Sequence, residues 1–310
     1  MKAIVIEQYG GAEELIEKEL PKPVIKDEQV LIEMHATSIN PIDWKLRAGY
    51  MKDMMTFEFP LILGWDAAGV IREVGKNVTN FKVGDEVFAR PAMENGTYAE
   101  YVAVDEALVA LKPDNISFQE AASTPLAGLT AWQCLVDFGE IKAGDKVFIQ
   151  AGSGGVGSFA IQIAKSFGAH VISTASGKNE AFLKELGVDE FINYETTDFS
   201  EVVKEVDLVV DTMGGGILEK SMDIVKEGGR LVSIAGQPDV VKAEAKGIKA
   251  DSLWLNPDGK QLAELGELMK EGKVKAHIGH TFPLTTEGLR EAHELSATHH
   301  AKGKIVIEIK

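Results

Sequence analysis

The stretch from Val147 to Ala164 carries no charged residue, the longest such run in the chain. Its length alone would suit a bilayer crossing. Gly152, Gly154, Gly155, Gly157 and the glutamines Gln150 and Gln162 interrupt it, so a lipid-spanning helix is a poor reading. The pattern predicts instead a short apolar strand over Val147–Gln150, a glycine loop, and an amphipathic helix over Gly157–Phe167. The loop, Ala151-Gly152-Ser153-Gly154-Gly155-Val156-Gly157, contains G-x-G-x-x-G in the strand-to-helix context that gives the motif meaning. The first glycine permits a tight turn, the second a close approach of main chain to a pyrophosphate, the third close helix–strand packing. The helix N-terminus then offers free N–H groups to phosphate oxygens.

The surrounding sequence fits a doubly wound parallel sheet. Strands are predicted at His170–Thr174, Phe191–Tyr194, Leu208–Asp211 and Leu231–Ile234, alternating with helices at Asn179–Leu186 and Leu218–Val225. Gln119–Phe138 reads as helical, capped by Ser117 and broken into two pieces by Pro125 and Gly128. The first third is different. Lys2–Ile6, Gln29–Met34, Gly69–Val74, Gly84–Phe88 and Tyr98–Val104 are β-rich runs with few helices between them. Near the other end, helices are predicted at Gln261–Glu271 and Thr286–Ser296, followed by a lone strand at Lys304–Ile309. That strand must pair somewhere, and a return to the N-terminal β module is expected. The domains are therefore drawn as 1–120 and 254–310 for the β-rich unit and 121–253 for the parallel-sheet unit.

With 310 residues, two domains are the natural size. A formal net charge of −16 disfavours nucleic acid and anionic membrane surfaces as partners. The single cysteine, Cys134, allows neither an internal disulfide nor a cysteine cluster for a metal, and with no leader-like N-terminal segment a cytoplasmic home is expected.

A dinucleotide in the glycine loop would place its adenosine ribose at the end of the next strand. An NAD site usually carries an acid there. The segment Ala175-Ser176-Gly177-Lys178-Asn179 offers a hydroxyl, an ammonium and an amide instead. A 2′-phosphate wants donors and positive charge. NADPH is thus the expected coenzyme, with Ser176 and Lys178 at the phosphate. Tyr194 either covers the same pocket or is a structural tyrosine.

In order along the chain stand Ser38-Ile-Asn-Pro-Ile-Asp43, Gly64-Trp-Asp-Ala-Ala-Gly-Val70, Gly96-Thr-Tyr-Ala-Glu-Tyr101, Leu126-Ala-Gly-Leu-Thr-Ala-Trp132, the glycine loop, and Gly303-Lys-Ile-Val306. With these motifs the chain resembles the medium-chain dehydrogenase/reductases, in particular their zinc-free quinone oxidoreductase and alkenal reductase branch. The resemblance implies an α/β protein with a GroES-like catalytic domain around a Rossmann domain, and a homodimer. The zinc enzymes of that superfamily place cysteine where this chain has Asn40 and histidine where it has Trp65. No metal is therefore expected.

The implied chemistry is NADPH-dependent reduction of a quinone or an α,β-unsaturated carbonyl, a small hydrophobic acceptor, by direct hydride transfer. The resemblance puts Asn40 near the nicotinamide and substrate and Thr130 under the nicotinamide ribose, and Tyr50 sits where it could cap the substrate. Asn40 either donates an N–H to the acceptor oxygen or holds the loop before Pro41. Asp43 and Asp66 are expected to orient loops. Trp44 and Trp65, and the Met- and Phe-rich segment 49–59, suit either an apolar substrate slot or ordinary packing. An enoyl-thioester reductase and a non-catalytic NADPH-binding protein are the alternatives.

Overall fold

The computed structural model describes residues 1–310 and resolves the β-rich N-terminal third into β1 (Lys2–Ile6), β2 (Ile16–Glu19), β3 (Gln29–Ile39), α1 (Pro41–Arg47), β4 (Leu61–Ile62), β5 (Ala67–Val74), β6 (Glu86–Ala89), β7 (Tyr101–Asp105) and β8 (Val109–Leu111). Two helices follow, α2 (Phe118–Ala122) and α3 (Pro125–Trp132). Ser117 caps α2 by accepting the Glu120 N–H. The strand expected at Gln29–Met34 runs on to Ile39. Helix α1 was missed in sequence because its seven residues are too few to show a periodicity.

Alternation then begins: β9 (Lys146–Ile149), α4 (Gly155–Ser166), β10 (His170–Ala175), α5 (Glu180–Glu185), β11 (Glu190–Asn193), α6 (Phe199–Val202), β12 (Val206–Asp211), α7 (Gly215–Ser221), β13 (Val225–Ser233), α8 (Val240–Ala245) and β14 (Lys249–Ser252). These strands form one parallel sheet in the order β11-β10-β9-β12-β13-β14. That is the doubly wound Rossmann order, with β9 at the switch point. Phe148, Ile172, Val209 and Leu231 are buried in its core. The helix predicted at Leu218–Val225 ends earlier, at Ser221. Val225 instead opens β13 and pairs with Val206, because the apolar residues Met222, Ile224 and Val225 satisfy either period and sheet pairing takes the β-branched end.

The chain then returns through α9 (Gly259–Lys270), β15 (Ile278–Pro283), α10 (Thr286–Ala297) and β16 (Lys304–Glu308). Strand β16 pairs antiparallel with β3 and parallel with β15, completing a sheet in the order β15-β16-β3-β5-β6-β8 with β7 also on β3. A smaller sheet, β2-β1-β4, packs Ile4 and Ile6 into a core with Leu46, Leu63, Trp65, Tyr98, Ile305 and Ile307. The residues divide into two compact units, Met1–Leu129 with Pro257–Gly272 and Ala276–Lys310, and Thr130–Asn256 with Lys273–Lys275. No helix is long and apolar enough to cross a membrane.

Gly128 does not break α3, contrary to the sequence expectation. A Cβ at Gly128 would stand 2.4 Å from Leu265 Cδ2, so the glycine admits α9 against the helix. Gly69 marks a tighter approach, in which β5 lies against the main chain of β3. A Cβ there would stand 2.0 Å from the Glu33 carbonyl oxygen, which cannot swing away. Gly69→Ala is expected to cost about 1–3 kcal/mol, the usual range for overpacking, read as a lower urea midpoint at unchanged slope.

Candidate active site

The glycine loop is built where β9 ends. Ala151 takes a left-handed φ of 48°, unusual for a residue with a side chain, and its N–H reaches Thr174 Oγ1 at 3.2 Å. The turn closes with the Gly154 N–H on the Ala151 carbonyl at 2.9 Å. Helix α4 begins at Gly155, two residues before its predicted start, and its first turn is closed by the Ser158 N–H on the Gly154 carbonyl at 3.0 Å. The amides of Gly155, Val156 and Gly157 precede that bond, in the position from which helix N-termini bind anions. Each motif glycine has its own reason. A Cβ on Gly152 would meet Ser173 Oγ at 2.2 Å, and one on Gly157 would meet the Ala151 carbonyl at 2.4 Å. A Cβ on Gly154 would meet only the Ala151 oxygen, at 3.3 Å. Close packing thus requires the first and third glycines, while the second leaves space beside the loop. These features fit a dinucleotide pyrophosphate.

Beyond β10, Ser176 is buried and Lys178 is exposed. Asn179, which the sequence reading did not single out, donates from Nδ2 to both Ser153 Oγ and Ser176 Oγ at 3.2 Å. It ties the glycine loop to the loop after β10. Tyr194 is exposed, and its N–H pairs with the Ala175 carbonyl at 3.3 Å, holding the ends of β10 and β11 together. Thr130 is buried in α3, within this same unit.

In the β-rich unit, Asn40 is the N-cap of α1, with Pro41 at the first helical position. Its side chain is buried and fixed from both sides. Nδ2 donates to Asp66 Oδ2 at 2.7 Å, and Oδ1 accepts from Lys304 Nζ at 2.5 Å. A carboxylate only accepts and an ammonium only donates, so the amide can face only this way. Asp66 is fully buried and also accepts from Ser38 Oγ at 2.5 Å and from the Leu126 N–H at 2.7 Å. Lys304 donates further to the Ile39 carbonyl at 3.1 Å, and its Nζ lies 3.5 Å from Asp66 Oδ2. Burial pulls its pKa below the ordinary lysine value, while Asp66 and Asp43 pull the other way. Trp65 is fully buried and its indole N–H is held by the Met93 carbonyl at 3.1 Å, so it packs rather than lining a slot. Tyr50 is 72% exposed, outside the hydrogen-bonded group, with its ring edge-on to Trp44 at 6.0 Å.

Zinc needs three or four Cys, His or carboxylate donors in fixed geometry. Around Asn40 stand the Asp66 carboxylate and the Lys304 ammonium on its side chain and the Asp43 carboxyl on its main chain, and no group of three His, Cys, Asp or Glu side chains is arranged to hold a metal. This donor set does not fit zinc.

A second buried group adjoins Asn40. Asp43 Oδ2 accepts the Asn40 N–H at 2.7 Å and the Tyr98 hydroxyl at 2.9 Å, and the Tyr98 oxygen lies 3.0 Å from His293 Nε2. Asp43 Oδ1 and His293 Nδ1 have no partner. Burial pushes the Asp43 carboxyl from 3.8 up to about 7, against the pull of its hydrogen bonds to Asn40 and Tyr98. Burial, and after it Arg47, drives His293 from 6.5 down to about 3, so the ring is neutral.

These shifts give stability terms of opposite sign. Between about pH 4 and 7, folded Asp43 keeps a proton that the unfolded chain has lost, so this term weakens the fold as pH rises and levels off above 7. Between about pH 3 and 6.5, the unfolded chain holds a His293 proton that the folded chain lacks, so this term strengthens the fold as pH rises and levels off above 6.5. Over the shared window they largely cancel. Asp43→Asn is expected to make stability climb more steeply with pH, and His293→Gln to make it climb less or fall. The two variants should diverge by an amount on the order of a few kcal/mol between pH 4 and 6.5. Urea unfolding across that range is the measurement, and parallel curves would remove the assignment.

Comparison with known proteins matches this architecture. Residues 26–114 match the alcohol dehydrogenase GroES-like domain family and residues 186–307 the zinc-binding dehydrogenase family. The chain is 38% identical over 318 residues to a 2-methylene-furan-3-one reductase of Solanum lycopersicum, covering 99% of this chain and 79% of that one. It is 37% identical over 317 residues to the chloroplastic NADPH-dependent alkenal/one oxidoreductase of Arabidopsis thaliana, with the same coverage. The quinone oxidoreductase structure from Coxiella burnetii superposes with a TM-score of 0.91 at 38% identity, covering 100% of this chain and 99% of that one. With a GroES-like β-rich unit, a Rossmann sheet and relatives this similar across nearly its whole length, the chain belongs to the medium-chain dehydrogenase/reductase superfamily, in the branch of quinone oxidoreductases and alkenal reductases, and is an oxidoreductase.

Proposed function

We propose that the protein is an NADPH-dependent, zinc-independent reductase of quinones or α,β-unsaturated carbonyls. The observation that carries the reading is the Lys304 ammonium bonded to Asn40 Oδ1, at the position where the superfamily's zinc enzymes hold a metal ligand. With no donor set for a Lewis acid, the favoured acceptor is one whose conjugation already spreads the incoming charge. A dinucleotide whose pyrophosphate is held by the glycine loop would supply the hydride from its reduced nicotinamide. The similarity to an alkenal/one oxidoreductase named as NADPH-dependent supports both coenzyme and acceptor class.

The chain's own residues bind and orient. The Gly152–Gly157 loop and the first turn of α4 hold the pyrophosphate through main-chain amides. Ser153, Ser176 and Lys178 lie around the Asn179 bridge or beside it and take the adenosine ribose and its phosphate, with Tyr194 against the adenine side. Thr130 supports the nicotinamide ribose. Asn40, locked by Asp66 and Lys304, has one amide hydrogen beyond the one given to Asp66, and it is assigned to the developing oxyanion of the acceptor. Tyr50, free at the surface beyond α1, covers a small hydrophobic substrate. The single buried cysteine suits a reducing cytoplasmic compartment, and the family resemblance supports a homodimer.

Loss of 340 nm absorbance with a panel of quinones and short enals tests the reading, and activity should survive exhaustive chelation. Lys178→Ala is expected to raise KM for NADPH by about tenfold, the loss of one charge-assisted phosphate contact, while KM for NADH changes little. Equal effects on both coenzymes would remove Lys178 from the phosphate site.

A further inference from the structure

The loop after β10 contains no acid, but the fold delivers one to it from elsewhere. Glu195 lies in the turn that follows β11, and its Oε2 accepts the Gly177 N–H at 3.0 Å. Gly177 is the first residue of the short 3-10 turn between Ser176 and Asn179, the segment of the proposed adenosine-ribose site. The contact is held from behind by Asn193. Its Oδ1 accepts the Glu195 N–H at 3.0 Å, and its Nδ2 would stand 2.8 Å from any Cβ at position 177. β10 and β11 are parallel neighbours paired as far as Ala175 and Asn193, so this meeting of their C-terminal ends follows from sheet register. Around the same loop, Ser176, Lys178 and Asn179 present a hydroxyl, an ammonium and an amide. An exposed carboxylate is therefore seated on a main-chain donor in a loop whose other polar groups are donors suited to an anion.

We propose that Glu195 sets coenzyme selectivity: it holds the Gly177 amide and its charge opposes a 2′-phosphate, so the protein discriminates between NADPH and NADH less than Ser176 and Lys178 alone would make it. The inference rests on the reading of this loop as the adenosine-ribose site. Two charges of one sign at near contact in partly solvated surroundings repel appreciably, and salt screens the effect. Glu195 is exposed and can swing away when the phosphate enters, so the cost is a weakened affinity rather than exclusion.

Titration calorimetry of the full chain with 2′,5′-ADP and with 5′-AMP tests it. Glu195→Gln keeps an oxygen for the Gly177 N–H and removes the charge. It is expected to tighten 2′,5′-ADP about fivefold to tenfold, with 5′-AMP within about twofold and the gain shrinking in high salt. KM for NADPH should fall in parallel at unchanged kcat. Glu195→Ala should show the same selective gain, because charge and not loop anchoring is responsible. No gain for 2′,5′-ADP, equal gains for both nucleotides, or a loss of 5′-AMP binding alone would overturn the proposal. Failure of the underlying site reading looks different: Lys178→Ala would leave 2′,5′-ADP binding untouched, whatever Glu195 does.

Discussion

A lysine ammonium buried in the interior has to be surrounded by acceptors or it destabilises the fold. Lys304 meets that demand with the Ile39 carbonyl, the Asn40 amide oxygen and the nearby Asp66 carboxylate. The three acceptors come from the N-terminal part of the chain and the ammonium from the other end, since β16 is laid against β3 and Lys304 follows Asn40 by 264 residues. The pairing does more than close a sheet. It fixes which way the Asn40 amide faces, it neutralises Asp66, and through Asp66 it receives the N-terminal amide of Leu126 in α3. The Asp43, Tyr98 and His293 group sits beside it on the Asn40 main chain. The buried polar groups around Asn40 are thus organised about the Lys304 ammonium.

The glycine loop rests on a different principle. Its geometry is steric and local: the strand β9 stops, Ala151 turns left-handed, and the absence of side chains at Gly152 and Gly157 lets α4 start against the strand. The helix then presents unpaired amides without any charged residue being needed. Positive charge enters only in the loop after β10, at the exposed Lys178.

The Rossmann half was largely legible from sequence because strand–loop–helix units are short-range objects. Where that reading slipped, the cause was tertiary. Gly128 looked like a helix breaker but is a small residue under Leu265, and Val225 looked helical but is recruited to pair with Val206. Helix α1 and the short strands β2, β14 and β15 carry too little pattern to be seen alone. In the β-rich unit, Asn40 was singled out from the sequence but its partners were not. Nothing in Gly303-Lys304-Ile305 announces that the lysine is buried, and Lys304 could have been suspected only from an ammonium standing in an otherwise apolar strand.

Residue order alone determined the glycine turn and the alternation of strands and helices, because each depends on neighbours within a few residues. Only the tertiary structure decided that an ammonium stands against Asn40 and that Glu195 reaches the loop after β10. Both depend on strand pairing, which brings together side chains whose separation along the chain carries no information about their separation in space.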